Sequence, residues 1–216
     1  MSERQPAAFQ LRPLETDDFA AMAGWFQNVT DLARFDRSGR VPFSTAGMED
    51  TWGQAADPTR KSSRCWFAIT TGTEELCGVS GLESITAVNR DAVIALFIDE
   101  NSRRQGIGIR ATALVLDFAF RQIGLNRVTS YYREDNLCSQ RMTARAGFET
   151  EGRMREAWFA EGRYFDMITV GLLRRDWEAR RKALARELDA SCTACFRGAV
   201  VSGWAWPPGP QDPPAD

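Results

Sequence analysis

The chain has 216 residues, 44% of them hydrophobic, enough for one sizeable core and near the upper end for a single domain. Its formal net charge of −2 supplies no basic field for a nucleic-acid backbone, and no run of about 18 apolar residues offers a membrane span. There is no histidine, so the usual base near neutral pH is missing and proton transfer falls to carboxylates, hydroxyls, tyrosine, cysteine or water.

The opening "MSERQPAAFQLRP" lacks the apolar segment of a signal peptide, and the expectation is a soluble cytoplasmic protein. "FQLRPL" alternates as a strand does, and "ETDDFAAMAGWF" follows as an amphipathic helix. Thr16 is its expected cap, with Asp17 and Asp18 in the first turn. A less regular, helix-prone stretch runs from Val29 to Ala56, with Ser44 or Thr45 as the cap of "AGMEDTWGQAA" within it; such stretches often wall a substrate site. "RCWFAITT", "LCGVSGLESI" and "DAVIALFID" read as three consecutive strands joined by turns. Gly106 to Ile123 reads as a helix with Ile107, Ala111, Leu114, Val115 and Phe118 on its core-facing stripe. "NRVTSYY" is a further strand and "NLCSQRMTARAGF" a short helix ended by Gly147. A final hairpin turns across "AEG" before a charged helix from about Asp176 to Leu188. This order implies an α+β fold, a mixed sheet with a central βαβ unit and not a doubly wound repeat.

Beyond Leu188 the character changes. Residues 189–216 read as an appendage to a 9–188 domain: an apolar arm, "AVVSGWAW", that packs on the domain or on a neighbour, then an extended or disordered proline-rich tail from Pro207. A homodimer built through that arm is one expectation; cover for the acceptor site is another. Cys192 and Cys195 form a lone C-x-x-C with no second pair and no histidine, which argues against a metal site. Cys65, Cys77 and Cys138 read as reduced, buried thiols.

The stretch "RRQGIGIRA", Arg103 to Ala111, sits between a strand and a helix. Gly106 and Gly108 there allow backbone N–H groups at a helix N-terminus to approach an anion such as pyrophosphate. It is neither a Walker loop, lacking Gly-Lys-Ser/Thr, nor a Rossmann G-x-G-x-x-G. Thirty residues on, Asn136 and Ser139 stand three apart at a helix start, where an amide and a hydroxyl share a face; the plainer reading of Asn136 is an N-cap.

Together with "LRPLETDD", "LFIDENSRRQGIG", "NLCSQRMTARAGFETEG" and the Gly162-x-x-x-Asp166 that follows, these segments resemble the GNAT superfamily of acyl-CoA-dependent N-acyltransferases, in its RimJ/RimL-like flavour, over about Phe9 to Trp177. The resemblance implies a mixed, mostly antiparallel sheet of about seven strands flanked by helices, acetyl-CoA as cosubstrate without a metal, and an amine-bearing acceptor, a peptide N-terminus or a small molecule. It implies that Arg103, Gly106 and Gly108 form the pyrophosphate loop, with the amides of Arg104, Gln105, Gly106, Ile107, Gly108, Ile109 and Arg110 as donors. Phe97 and Ile98 match the strand that pairs with pantetheine and holds the oxyanion. Asn136 matches the position that contacts the pantetheine region, and Ser139 the serine that serves the departing thiolate. Relatives with a tyrosine seven residues after the asparagine differ here, where Thr143 stands.

The chemistry tolerates so modest a set of groups: a thiol of pKa about 8.5 leaves readily, and positioning with preorganised N–H groups supplies much of the acceleration. Glu83 is the first candidate base, with Glu156 and Asp166 behind it, although the commoner role for each such residue is a solvated or structural carboxylate. Some relatives carry a carboxylate where Trp158 stands. Trp25, Phe26, Trp52, Trp158 and Phe159 could line an acceptor site or pack the core, and Arg34, Arg37 and Arg40 could meet an acidic acceptor or solvent. The alternatives are a different acyl-CoA donor acting on a natural-product or antibiotic amine, or a catalytically weak CoA-binding module.

Overall fold

The alternating apolar residues of the expected strands fix which side of each strand faces helix. In the computed structural model, which describes residues 7–37, 44–56, 63–188, 191–198 and 204–208, they assemble into one nine-stranded mixed sheet. In chain order the elements are β1 (Ala7–Pro13), α1 (Phe19–Trp25), α2 (Val29–Phe35), α3 (Thr45–Ala56), β2 (Cys65–Thr71), β3 (Leu76–Thr86), β4 (Asp91–Ile98) and α4 (Ile107–Asp117). There follow β5 (Arg127–Arg133), α5 (Leu137–Ala146), β6 (Glu149–Ala160), β7 (Arg163–Leu173), α6 (Arg174–Glu187), β8 (Cys192–Phe196) and β9 (Ala205–Trp206).

The sheet runs β6-β7-β5-β4-β3-β2-β1-β8-β9, antiparallel except where β4 meets β5 and β1 meets β8. Two large cores follow from the pleat, and a smaller cluster of Trp158, Ala160, Phe165 and Met167 packs against Ala33. On one face Phe19, Met22, Phe26, Leu32 and Met48 of α1–α3 close over Trp66, Val79 and Phe97. On the other, α4, α5 and α6 pack with Phe9, Leu11, Ile94, Val128 and Leu172. The β6–β7 hairpin turns through Glu161 (φ 54°) and Gly162 (φ 75°), two left-handed residues, the geometry that matches strand twist.

Several sequence expectations change. Glu15, not Thr16, precedes the first turn, and Asp18 does the capping: it accepts from the Glu15 amide at 2.9 Å and from both arms of Arg12 at 2.7 and 2.8 Å. At α3, Ser44 is the cap, accepting from the Gly47 amide at 3.1 Å. Instead of continuing to Ile123, α4 ends at Asp117 and passes into a π turn over Phe118–Gln122. Nor does it show a single stripe: every residue of α4 except Gly108 is buried, because the helix lies between the sheet and the side chains of α5 and α6. Among the described residues there are nine strands, not about seven; the two additional ones lie in the segment taken for an appendage.

That segment closes the sheet edge. Cys192 to Phe196 pair in parallel with Ala7 to Leu11, and Trp206, fully buried, lies beside Trp177 with ring centroids 5.5 Å apart and planes tilted by 41°. The indoles of Trp177 and Trp206 and the guanidinium of Arg181 all donate to the buried carboxylate of Asp117, at 3.0, 2.9 and 2.8 Å. Cys192 and Cys195, three apart on a strand, leave opposite faces. Cys138, by contrast with the expected buried thiol, is exposed in the first turn of α5. Arg40, the stretch 199–203 and most of the proline-rich end, 209–216, lie outside the described residues. No helix among the described residues is long and apolar enough to cross a membrane.

Candidate active site

The central parallel pair comes apart partway along. Only Asp91–Val93 of β4 pair with Arg127–Thr129 of β5; Ser130 Oγ then bridges to the Ile94 carbonyl at 3.1 Å, and beyond it the strands diverge. Each remains held by its outer neighbour, β4 by β3 through Ile98–Gly78 and β5 by β7 through Arg133–Met167. The result is a wedge in mid-sheet with exposed backbone on its walls.

Strand alternation decides which groups face it. The Ala95 carbonyl accepts from Ser80 Oγ at 3.1 Å and the Asp99 amide donates to Cys77 at 3.0 Å, so the odd residues of β4 point their backbone at β3. Leu96 and Ile98 therefore turn their N–H groups into the wedge. Phe97 does not; its backbone lies in the β3–β4 ladder, and its ring packs against Trp25, Phe26 and Phe35. Sequence reasoning passed over Leu96, although its position two before Ile98 carried the signal.

At the mouth of the wedge, Arg104 (φ 62°) and Gly106 (φ 75°) bend the loop through left-handed conformations. Gly106 is the N-cap of α4 and has no side chain with which to satisfy the first-turn N–H groups, so those of Gly106, Ile107, Gly108 and Ile109 stand outside the helical ladder. The Arg110 amide belongs inside that ladder, but its side chain folds back and donates to the Gly106 carbonyl at 3.1 Å. A polar cavity of about 360 Å³ opens here, lined by Arg104, Gln105, Gly106 and Arg110, with Arg145 of α5, Leu188, Ser191 and Glu187 opposite, the last a carboxylate paired with Arg180 at 2.5 Å. Uncapped amides and three guanidiniums suit an anionic ligand, and the donor set fits the diphosphate of coenzyme A. Ile107 and Ile109 bury their side chains in the core and offer backbone only.

Arg103 is not in this cavity. Its Nε donates to the Ile98 carbonyl at 2.9 Å, and its Nη2 and Nη1 donate to Asp31 of α2 at 2.8 and 3.4 Å.

On the β5 side, Asn136 caps α5 by accepting from the Ser139 amide at 3.1 Å, as the plainer reading expects; that bond uses Oδ1 and not the side-chain NH₂. Ser139 is half-buried, and its hydroxyl makes no hydrogen bond among the described residues. Thr143 is buried, its hydroxyl turned back to the Ser139 carbonyl at 2.9 Å, and supplies no acid.

The three candidate bases differ. Glu83 stands on the α1–α3 face opposite Val93, at the closed end of the wedge, where Arg64 Nε at 2.8 Å and Trp66 Nε1 at 2.5 Å occupy its carboxylate. Asp166 is bound by the Glu156 amide at 2.9 Å and by Arg153, which together hold its carboxyl below the usual range. Glu156 is exposed at a bulge of β6 (φ 53°). Nearby, buried Arg133 pairs with Asp135 at 2.6 Å and rests 4.1 Å from the Phe165 ring centroid, holding the Asp135 carboxyl low with help from Arg34.

Of the expected acceptor-lining aromatics, Trp25, Phe26 and Trp52 pack in the α1–α3 core with Phe35, Trp66 and Phe97, and Trp158 is pinned by its indole to the Ala33 carbonyl at 2.8 Å. Phe159 is exposed and pairs edge-on with Tyr164. Arg34 and Arg37 are exposed. No group of three or more metal-ligating side chains occurs among the described residues.

This architecture agrees with what comparison finds. The chain is 32% identical over 106 residues to the "Putative ribosomal N-acetyltransferase YdaF" of Bacillus subtilis, an alignment spanning 49% of this chain and 58% of that protein. With the "Probable N-acetyltransferase YjcK" of the same organism it shares 27% identity over 174 residues, 78% of this chain and 95% of that one. In fold it resembles the crystal structure of spermidine N-acetyltransferase from Vibrio cholerae in complex with CoA and spermine, with a TM-score of 0.70 at 20% identity, covering 78% of this chain and 97% of the other. The profile of the Acetyltransferase (GNAT) domain matches residues 9–149, well over half of the sequence, and the chain therefore belongs to the GNAT acetyltransferase family.

Proposed function

We propose that the protein is an acetyl-CoA-dependent N-acetyltransferase that acts on a primary amine, a protein N-terminus or a small molecule, by direct attack on the thioester. The observation that carries this is the wedge between β4 and β5: inward N–H groups of Leu96 and Ile98 on one wall, Asn136 and Ser139 on the other, and an arginine-lined anion cavity at its mouth. Bound acetyl-CoA supplies the activated acyl group and the thiol leaving group.

The chain's own part is positioning and electrostatics. N–H groups on the β4 wall stabilise negative charge that develops on the carbonyl oxygen. The new C–N bond forms as the C–S bond breaks, and the Ser139 hydroxyl donates to the sulfur at the N-terminus of α5, where the helix dipole also favours a thiolate. The attacking amine loses its proton to solvent; an α-amino group with pKa about 8 needs little help, an alkylamine near 10 needs more.

The names of the similar proteins put ribosomal proteins and polyamines among the acceptors to try first. The test is thiol release with acetyl-, propionyl- and longer acyl-CoAs over a panel of peptides with free N-termini, spermidine and small amines, alongside calorimetric titration with CoA. Release with acetyl-CoA and a defined amine is the expected result. Binding of CoA with no release over the whole panel would make the protein a CoA-binding module, and no binding would end both readings.

A further inference from the structure

The adjacent arginines of "RRQGIG" leave the sheet on opposite faces. Arg104 lines the polar cavity on the α4–α6 side with Gln105, Gly106 and Arg110. Arg103 turns to the α1–α3 side, where its guanidinium lies 5.6 Å from the centroid of the Phe97 ring and meets both oxygens of Asp31. To reach a phosphate in the cavity it would have to abandon the carboxylate, the Ile98 carbonyl and the aromatic face together.

What Asp31 belongs to gives the pair its meaning. The helix α2 has seven residues, too few to hold its place by helix propensity. It is tied to the β4 side of the wedge by Asp31–Arg103, and to the other side by Trp158 of β6 donating to the Ala33 carbonyl at 2.8 Å. The helix thus straddles the open end of the wedge on the face away from the anion cavity, where an acceptor would approach.

We infer that Arg103 is a positioning residue for the acceptor and not a phosphate ligand: with Asp31 it anchors α2 across the wedge, while Arg104 and Arg110 meet the diphosphate. The inference rests on the donor-binding reading of the cavity. The Asp31–Arg103 pair is partly exposed, and pairs of that kind add little to global stability. Its loss is therefore felt in acceptor binding and not in unfolding.

The experiment compares wild type, Arg103→Gln, Asp31→Asn, the double variant, the charge swap Asp31→Arg with Arg103→Asp, and Arg104→Gln. CoA affinity is read by calorimetry, and amine saturation curves use spermidine and a peptide with N-terminal serine. Expected are a five- to tenfold rise in amine KM for both single variants and CoA affinity within twofold of wild type. The double variant should be no worse than either single one, since neighbours in one pair are not additive. The swap should recover part of the loss, and Arg104→Gln should show the converse pattern, weaker CoA with amine KM unchanged. A fivefold or greater loss of CoA affinity in Arg103→Gln without one in Asp31→Asn would return Arg103 to the diphosphate and overturn the inference. Unchanged amine saturation in both single variants would overturn it equally. Failure of wild type to bind CoA would strike the underlying reading instead, and is seen before any variant is made.

Discussion

Ser139 and Asn136 show how much one side chain's place can be read from spacing. N-x-x-S at a helix start told both that the asparagine would cap and that the two would share a face, and the cap bond at 3.1 Å leaves the Ser139 hydroxyl uncommitted among the described residues. Replacing Ser139 with alanine is expected to lower kcat about 10- to 100-fold, the modest end of acid catalysis because the leaving thiol is already acidic. CoA affinity should change less than twofold; equal turnover would remove the acid role. Arg103 and Arg104 show the limit of the same reading, since sequence neighbours carry no mark of which face each will choose. Asp135 links stability to pH. Its carboxyl is depressed by Arg133, so the stability it contributes is complete above the unfolded value of about 3.9 and disappears as pH falls through the lower native value. The melting temperatures of wild type and Asp135→Asn should therefore differ near neutrality by a small amount that high salt reduces. The difference should vanish in acid; a gap that persists there would remove Asp135 from the account.

Elements were legible where their pattern is local. The βαβ unit, the hairpin turn at Glu161–Gly162 and the caps at Ser44 and Asn136 each follow from residues a few positions apart. Burial of α4 on all sides was not, because the layer over its outer face is made by residues some 60 to 90 positions later: Trp177, Arg181 and Trp206, all directed at Asp117. At the other end of α4, a Cβ on Gly106 would sit 2.6 Å from Arg110 Nη1 on a residue with φ 75°. Gly106→Ala should cost about 1–2 kcal/mol and weaken CoA binding at least tenfold, as calorimetry and thermal melts would show. Wild-type affinity in that variant would mean that the loop does not hold the donor.

For the whole molecule, the absence of histidine becomes a kinetic statement. The pH dependence of kcat/KM should rise with deprotonation of the acceptor, near 8 for an α-amino group and near 10 for an alkylamine, with no inflection fixed near 6.5 across acceptors. An inflection that stays put while the acceptor changes would point to an enzyme carboxylate of raised pKa. The described part of the C-terminal segment, taken from its composition for an appendage, joins the edge of the sheet and the larger core through Cys192, Ala194 and Trp206. Its strand escaped detection because five residues without a lasting period reveal nothing until the partner strand, at the other end of the chain, is known. Trp206→Ala should cost about 3–5 kcal/mol, and Trp206→Phe about 1–3 by leaving Asp117 short of one donor. Melting curves of the two variants would rank them, and unchanged stability in either would show that the segment merely lies on the surface.

The parallel pairing of β1 with β8 also sets a timetable. When the ribosome has delivered the first strand, its partner at Cys192–Phe196 is still more than 170 codons away. Pairing with β2 can form early, but the outer edge of β1 stays open until Cys192–Phe196 has emerged. The loop-closure cost of so distant a contact must then be met in one late step. During synthesis that open edge is a place where nascent chains can pair with each other, so overproduction should yield more soluble protein when weak induction keeps few nascent chains present at once.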